Sequence, residues 1–290
     1  MLPPLQVAWI NALASPVGGA ERYIAATADR LRGEGVRSVL LYEASSPVWP
    51  EMTAAFDGAF PIVDLPRQLA ALGPDVIYAH QLGDPRLVPA LAATGLPVLR
   101  FFHDHALFCL REGKYTTLRG EPCTRTVGAG CYPCLGFVRR SDAWPGLRLR
   151  TVAGLRGEER ENMALTGWVV GSTYMAEHVA AHGFERSRIH VLPLWVAEPS
   201  PAADVAREPD LLLSVGQLIR GKGHDVLLEA MARLTVPARL AIAGTGRLAA
   251  ALEEQATALG LGARVTFLGR LGAHELASYY RRATCVWLSW

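Results

Sequence analysis

The feature that most constrains this chain is a repeated alternation. Short, unbroken apolar runs end in glycine or polar turns, and segments with helical periodicity follow them. In the first two thirds the expected strands are Gln6–Asn11, Ser38–Tyr42, Asp75–His80, Val98–His103, Trp168–Ser172 and Arg188–Leu192. Runs with no polar alternation belong to strands covered on both faces. Helical spacing appears over Ala20–Arg32, where Ile24, Ala25, Ala28 and Leu31 share a face, and around Pro89–Ala93 and Tyr174–His182. Strand and helix in strict alternation predict an α/β fold built on a doubly wound parallel sheet.

The pattern breaks once. Residues 197–209 (AEPSPAADVAREP) are rich in Pro, Ala and charge and lack periodicity, as a linker would be. We place an N-terminal Rossmann-like domain at 1–198, the linker at 199–209 and a second Rossmann-like domain at 210–290. The second repeats the pattern: strand 210–216, helix 223–234, strand 238–243, helix 247–259, strand 264–268, helix 273–282 and strand 284–289. The chain stops at Trp290 on a bare strand edge, so the expectation is an incomplete second domain.

Composition removes several function classes. A formal charge of +2 over 290 residues is too small for a nucleic-acid partner. There is no apolar window of membrane-spanning length and no basic leader before the first strand, which predicts a cytoplasmic protein with reduced thiols. The basic residues Arg139, Arg140, Arg148, Arg150, Arg156 and Arg160, interleaved with Trp144, Leu147, Leu149 and Leu155, leave two readings open. They form a solvated face of a connecting helix, or a peripheral contact with the inner membrane face.

Functional information concentrates in residues 213–248. A strand runs into Gly216, a turn carries Arg220 and Lys222, and a helix opens; a second strand then runs into Gly244-Thr245-Gly246 and another helix. Such strand–turn–helix units hold phosphates through free backbone N–H groups, the helix dipole and a cation. Lys222 is one of only two lysines among 29 cationic side chains, Lys114 being the other, so a compact ammonium stands where arginine is the habit. In the first domain Gly18-Gly19 opens a helix after the first strand. His103-Asp104-His105 closes a later strand, at the carboxyl edge where open sheets bind ligands. A histidine there can hydrogen-bond sugar hydroxyls or share a proton; the plain alternative for His103, His105 and His80 is packing at a strand end.

Taken in order, Gly18-Gly19-Ala20-Glu21-Arg22, His103-Asp104, Val215-Gly216-Gln217-Leu218 with Lys222-Gly223, Ala243-Gly244-Thr245-Gly246 and Arg264-Val265-Thr266-Phe267-Leu268-Gly269 resemble the family 4 retaining glycosyltransferases. The resemblance spans essentially the whole chain. It implies two Rossmann-like domains facing across a cleft (the GT-B fold) and a nucleotide-diphosphate sugar, UDP- or GDP-linked, as donor. The acceptor would be a glycan, a lipid-linked sugar or a small molecule. It also implies transfer with retention and no cofactor for catalysis. On the same basis Lys222 would hold the diphosphate with Gln217 and Arg220, Gly18 and Gly19 would line the donor–acceptor cleft, and His103 would contact the transferred sugar. Gly244 and Gly246 would belong to the donor loop, and Gly269 would lie near the base. Two departures stand out: Gln217 occupies a position where the family commonly has arginine, and the paired glutamates expected beyond Trp287-Leu288-Ser289-Trp290 are absent.

Cys109, Cys123, Cys131 and Cys134 lie within one Gly-rich insertion, 107–136, and the Cys-x-x-Cys at its end suggests a structural zinc knuckle; a disulfide or buried thiols are the alternatives. Cys285, in the last strand, is expected in the core. Two other functions compete. A non-catalytic nucleotide- or sugar-binding protein fits the missing glutamates. Gly244-x-Gly246-x-x-Ala249 also suits an NAD enzyme, but the next strand ends in Gly269-Arg270 without the ribose-binding carboxylate.

Overall fold

The computed structural model describes residues 4–15, 18–116, 121–134, 136–140, 147–195 and 205–287. The chain divides into two compact α/β units, Met1–Ala197 and Glu198–Trp290. Along the first unit run β1 (Gln6–Asn11), α1 (Gly19–Gly33), β2 (Arg37–Glu43), α2 (Pro50–Thr53), β3 (Gly58–Ile62), α3 (Leu65–Leu72), β4 (Val76–Ala79), α4 (Leu87–Ala92) and β5 (Val98–Phe102). There follow the short strands β6 (Val138–Arg140) and β7 (Leu147–Leu149), then α5 (Val152–Met163), β8 (Gly167–Val170), α6 (Thr173–Ala181) and β9 (Ile189–Val191). The second unit holds β10 (Glu208–Val215), α7 (His224–Arg233), β11 (Arg239–Ala243), α8 (Ala249–Ala258), β12 (Val265–Gly269), α9 (Ala273–Arg282) and β13 (Ala283–Trp287).

The first sheet has seven strands in the order β3-β2-β1-β4-β5-β8-β9, all parallel. Alternate side chains of the same strands feed the two faces: Trp9 joins Ile24, Leu40 and Phe101 beneath α1, and Ile10 joins Leu41, Ile77 and Leu91 beneath α3 and α4. The second sheet is smaller, with parallel strands in the order β12-β11-β10-β13. Its helices α7 and α8 pack Leu227, Leu228, Met231 and Leu252 against Ile242. In each sheet the order reverses beside one strand, β1 in the first and β10 in the second, and ligands of open α/β sheets bind at the carboxyl ends flanking such a reversal.

Two expectations change. The basic cluster is not one helix face: Arg139, Arg140 and Arg148 fall on the antiparallel pair β6–β7, whereas Arg150, Arg156 and Arg160 precede or lie on α5. Trp144 lies outside the described residues. Arg150 is also tied to Glu158 at 2.9 Å, and Arg156 to the Val127 carbonyl at 2.9 Å, so neither is a loose surface charge. Cys285 is exposed rather than in the core, because among the described residues β13 lies at the edge of the second sheet, paired with β10. No helix of the described residues is long and apolar enough to cross a membrane.

Candidate functional site

In the second unit the site is built from backbone. The Gly216 N–H donates to the Ala243 carbonyl at 3.0 Å, Leu218 N–H to Thr245 at 3.0 Å and Leu248 N–H to Leu218 at 3.0 Å. The Gly244 N–H donates to the Gly269 carbonyl at 2.7 Å, so the turns after β10, β11 and β12 are zipped into one platform. The glycines are required by that approach: a Cβ on Gly244, whose φ is +151°, would lie 1.8 Å from the Gly216 carbonyl oxygen, and one on Gly246 would lie 2.4 Å from that of Leu218.

On this platform Gln217, Arg220 and Lys222 are exposed, and the Lys222 stem runs 3.9 Å from where a Gly216 side chain would begin. Helix α7 opens directly after Lys222 from Gly223, a left-handed residue at φ +55°, and no side chain caps it. Its first N–H groups and its positive dipole end therefore directly follow a lysine in the chain, the kind of turn that holds a phosphate. His224 anchors the turn from below: it is 3% exposed and its Nδ1 lies 3.3 Å from Ser214 Oγ on β10. Burial lowers its pKa and keeps it neutral beside the lysine. Nothing in the spacing of this histidine marks it as a support.

In the first unit the site is built from side chains. His103, just past β5, bonds to His80, just past β4, through Nε2 and Nδ1 at 2.8 Å. The pair lies in a column of rings: Trp9 stacks on His80 at 5.4 Å and 8°, and Phe101 on His103 at 4.1 Å and 16°. His80 has no exposed surface, and burial, then the neighbouring His103 and Arg100, hold its pKa well below 6.5. Burial, then Arg100, pushes His103 down to about 4. Both rings are therefore neutral near pH 7 and share one proton across their bond, so His103 can donate or accept with its outer nitrogen but carries no charge there. His105 is turned away, toward His178 at 5.0 Å between ring centroids.

Gly18 and Gly19 do open α1 at the carboxyl edge of the first sheet, yet the Gly18 N–H already donates to the Glu21 carboxylate at 2.9 Å. That carboxylate opposes an anion at this end, so the turn suits close approach by a neutral group.

The four cysteines of the insertion line one narrow cavity, with Lys114 among them. No metal-holding group of three or more His, Cys, Asp or Glu is found among the described residues, and none of the cysteines is in a disulfide. The expected zinc knuckle is thus not assembled in this structure. Lys114, 6% exposed and bonded to the Arg125 carbonyl, places its own positive charge where the thiols converge, which works against a dication there. Beyond the second unit's platform, β12 ends at Gly269 with Arg270 next, so the carboxylate of an NAD site is missing at that strand end.

Comparison with known proteins follows this division. Residues 17–197 match the family model described as Glycosyltransferase Family 4, and residues 200–289 the one described as Glycosyl transferases group 1. The chain is 26% identical over 320 residues to D-inositol 3-phosphate glycosyltransferase 1 of Catenulispora acidiphila, covering 98% of this chain and 73% of that protein. Among solved structures, Anabaena Alr3699/HepE in complex with UDP and glucose is 15% identical with a TM-score of 0.63, over 94% of this chain and 72% of that one. The pneumococcal O-GlcNAc transferase GtfA, in complex with UDP and GlcNAc, is 9% identical with a TM-score of 0.65, over 98% and 79%. These structures share the GT-B fold of two α/β units with the chain.

Proposed function

The chain belongs to Glycosyltransferase Family 4, and from that premise we propose that it transfers a sugar from a nucleoside-diphosphate donor, UDP- or GDP-linked, to a hydroxyl of an acceptor with retention. The observation that carries the donor half is the β10–α7 turn, where Lys222 and an uncapped helix N-terminus stand together at the sheet's point of reversal. Departure of a nucleoside diphosphate develops negative charge on its phosphate oxygens. A fixed cation and backbone N–H groups stabilise that charge without reorganising. Gln217 adds amide donors without charge, so the cationic share of the work falls on Lys222 with help from Arg220. Gly244, Gly246 and Gly269 serve the donor site indirectly, by holding the platform together. UDP bound in HepE and in GtfA supports the choice of donor class.

His103 takes the sugar side. A neutral imidazole fixed by His80 can hydrogen-bond a sugar hydroxyl without competing for the phosphates. The acceptor is a glycan, a lipid-linked sugar or a small molecule, and metal-free catalysis accords with a lysine and helix dipole supplying the positive charge. Calorimetric titration of the chain with UDP and GDP tests the donor reading. One of the two binds, and Lys222→Ala weakens it about 10- to 100-fold, the worth of one charge-assisted hydrogen bond. Equal affinity in the variant would remove Lys222 from the donor site.

A further inference from the structure

The insertion between β5 and β6 holds a group of nucleophiles that sugar transfer does not use. Cys109, Cys123, Cys131 and Cys134 line one cavity of about 20 Å³, room for little more than a single water, so their side chains converge. All four are free thiols and each is partly exposed, so a small reagent reaches them.

Two of the four are placed by one turn of chain. Ala129–Cys134 form a 3-10 helix, in which the Cys131 N–H donates to the Gly128 carbonyl at 2.9 Å. Residues i and i+3 of such a helix eclipse, and a rise of roughly 2.0 Å per residue sets their Cα atoms about 6 Å apart on one edge. A disulfide spans Cα separations of roughly 4.4–6.8 Å. Cys131 and Cys134 therefore close within their own turn. Cys109 and Cys123 lie outside helices and strands, so no regular element fixes their spacing.

Lys114 supplies the second element. It is 6% exposed and donates to the Arg125 carbonyl, which fixes its ammonium at the cavity. Burial lowers its pKa, and Cys123, Cys109 and Cys131 act against that shift, so the charge is within electrostatic reach of three of the thiols. Thiol–disulfide exchange passes through a sulfur anion at each step, and a fixed cation steadies that anion where it forms. The backbone is strained to put the lysine there: Glu112 and Lys114 have φ of +64° and +53°, a region that residues other than glycine seldom adopt.

We propose that Cys131 and Cys134 are a reversible dithiol–disulfide pair, a site of oxidation by low-molecular-weight disulfides. The Cys131 thiolate attacks one sulfur of the reagent. The reagent's S–S bond breaks, and its other sulfur leaves and takes up the proton that Cys131 gave up. The Cys134 thiolate then attacks the Cys131 sulfur of the mixed disulfide, and the second reagent thiol leaves with the proton from Cys134. Two protein thiols are oxidised to one disulfide, and the reagent disulfide is reduced to two thiols. The site lies wholly in the first unit and is independent of the donor reading, since Lys222 belongs to the second.

The test is equilibration of the 290-residue chain in buffers of stepped glutathione to glutathione-disulfide ratio, followed by acid quench, alkylation of the remaining thiols and peptide mass mapping. Cys285, an exposed thiol and the one cysteine of the second unit, is the internal control. As the buffer becomes oxidising, Cys131 and Cys134 lose alkylation together, are found linked to each other, and recover in reducing buffer. Cys285 stops at a mixed disulfide with glutathione. Cys134→Ser traps Cys131 as its glutathione mixed disulfide, an intermediate that a purely structural thiol would not give. Cys131 and Cys134 remaining fully alkylatable while Cys285 reacts, a disulfide to Cys109 or Cys123 instead, or an unmodified Cys131 in the Cys134→Ser chain overturns the pair.

Discussion

Helices α1 and α7 each begin at a glycine after the strand beside which their sheet's order reverses, yet they offer opposite chemistry. At α1 the Glu21 carboxylate takes the Gly18 N–H and faces the dipole with its own negative charge. At α7 no side chain takes that place, and Lys222 adds positive charge beside the open end. A glycine before a helix is thus not by itself a phosphate site. Both helices carry a carboxylate in the first turn, Glu21 and Asp225, but only Glu21 takes the N–H that precedes its helix; at α7 that place is left without a side-chain cap and Lys222 stands next to it. The surroundings differ in kind as well, with ring packing around His103 and zipped backbone around Lys222.

The sharpest way to break this comparison is to add one methyl group to each turn. Gly244→Ala puts a Cβ 1.8 Å from the Gly216 carbonyl and separates the turns that carry Lys222. It is expected to destabilise the second unit by about 4 kcal/mol or more and to abolish nucleotide binding. Gly19→Ala meets nothing within 4 Å at the first position of α1, and is expected to leave stability unchanged or raise it by up to about 1 kcal/mol. Urea unfolding of the two variants checks both. Similar losses would show that the two turns are built alike.

These two turns also show what was legible in the sequence. The zipped platform could be read because its requirements fall on glycine, a residue whose absence of side chain is itself a signal. The strand and helix order could be read because buried parallel strands are continuous apolar runs. Strand β3 escaped because Gly58-Ala59-Phe60-Pro61-Ile62 sits at the sheet edge, where proline is tolerated and one side is half exposed. His80 and His224 read as strand-end and helix-start residues; their supporting roles arise from pairing across 23 and 10 residues, which no local pattern carries. The cysteines erred in the other direction, since close spacing brought four thiols to one cavity but placed Lys114 among them.

A second contrast concerns protons. His103 is held from 6.5 down to about 4, first by burial and then by Arg100. The unfolded chain takes a proton on this ring below about pH 6.5 and the folded chain only near 4, so stability falls as pH drops through that window. In a His103→Gln variant this loss is absent. Between about pH 7 and pH 4 the wild-type chain should lose up to about 3 kcal/mol more stability than the variant. Glu159, raised to about 7 by burial, acts in the opposite sense, losing its stabilising proton as pH rises from 4.5 toward 7. Because it is present in both proteins it cancels in the difference. Paired denaturant titrations at several pH values give the number, and a difference that does not change with pH would remove His103 from the buried, neutral pair.

The smallest expected effect is the most direct probe of the two helix ends. Glu21→Gln keeps an acceptor for the Gly18 N–H but removes the charge opposing the dipole, at a cost of about 0.3–1 kcal/mol in thermal unfolding. If the phosphates of the donor meet only α7, affinity for UDP is unaffected, because nothing at the Lys222 turn changes. If they also approach α1, removing a buried negative charge from that end strengthens binding severalfold, since the carboxylate no longer repels the anion. A modest stability loss with unchanged UDP affinity is the expected result. It would assign the Gly18–Gly19 turn to the neutral, sugar-facing side of the reaction and leave the charge to Lys222.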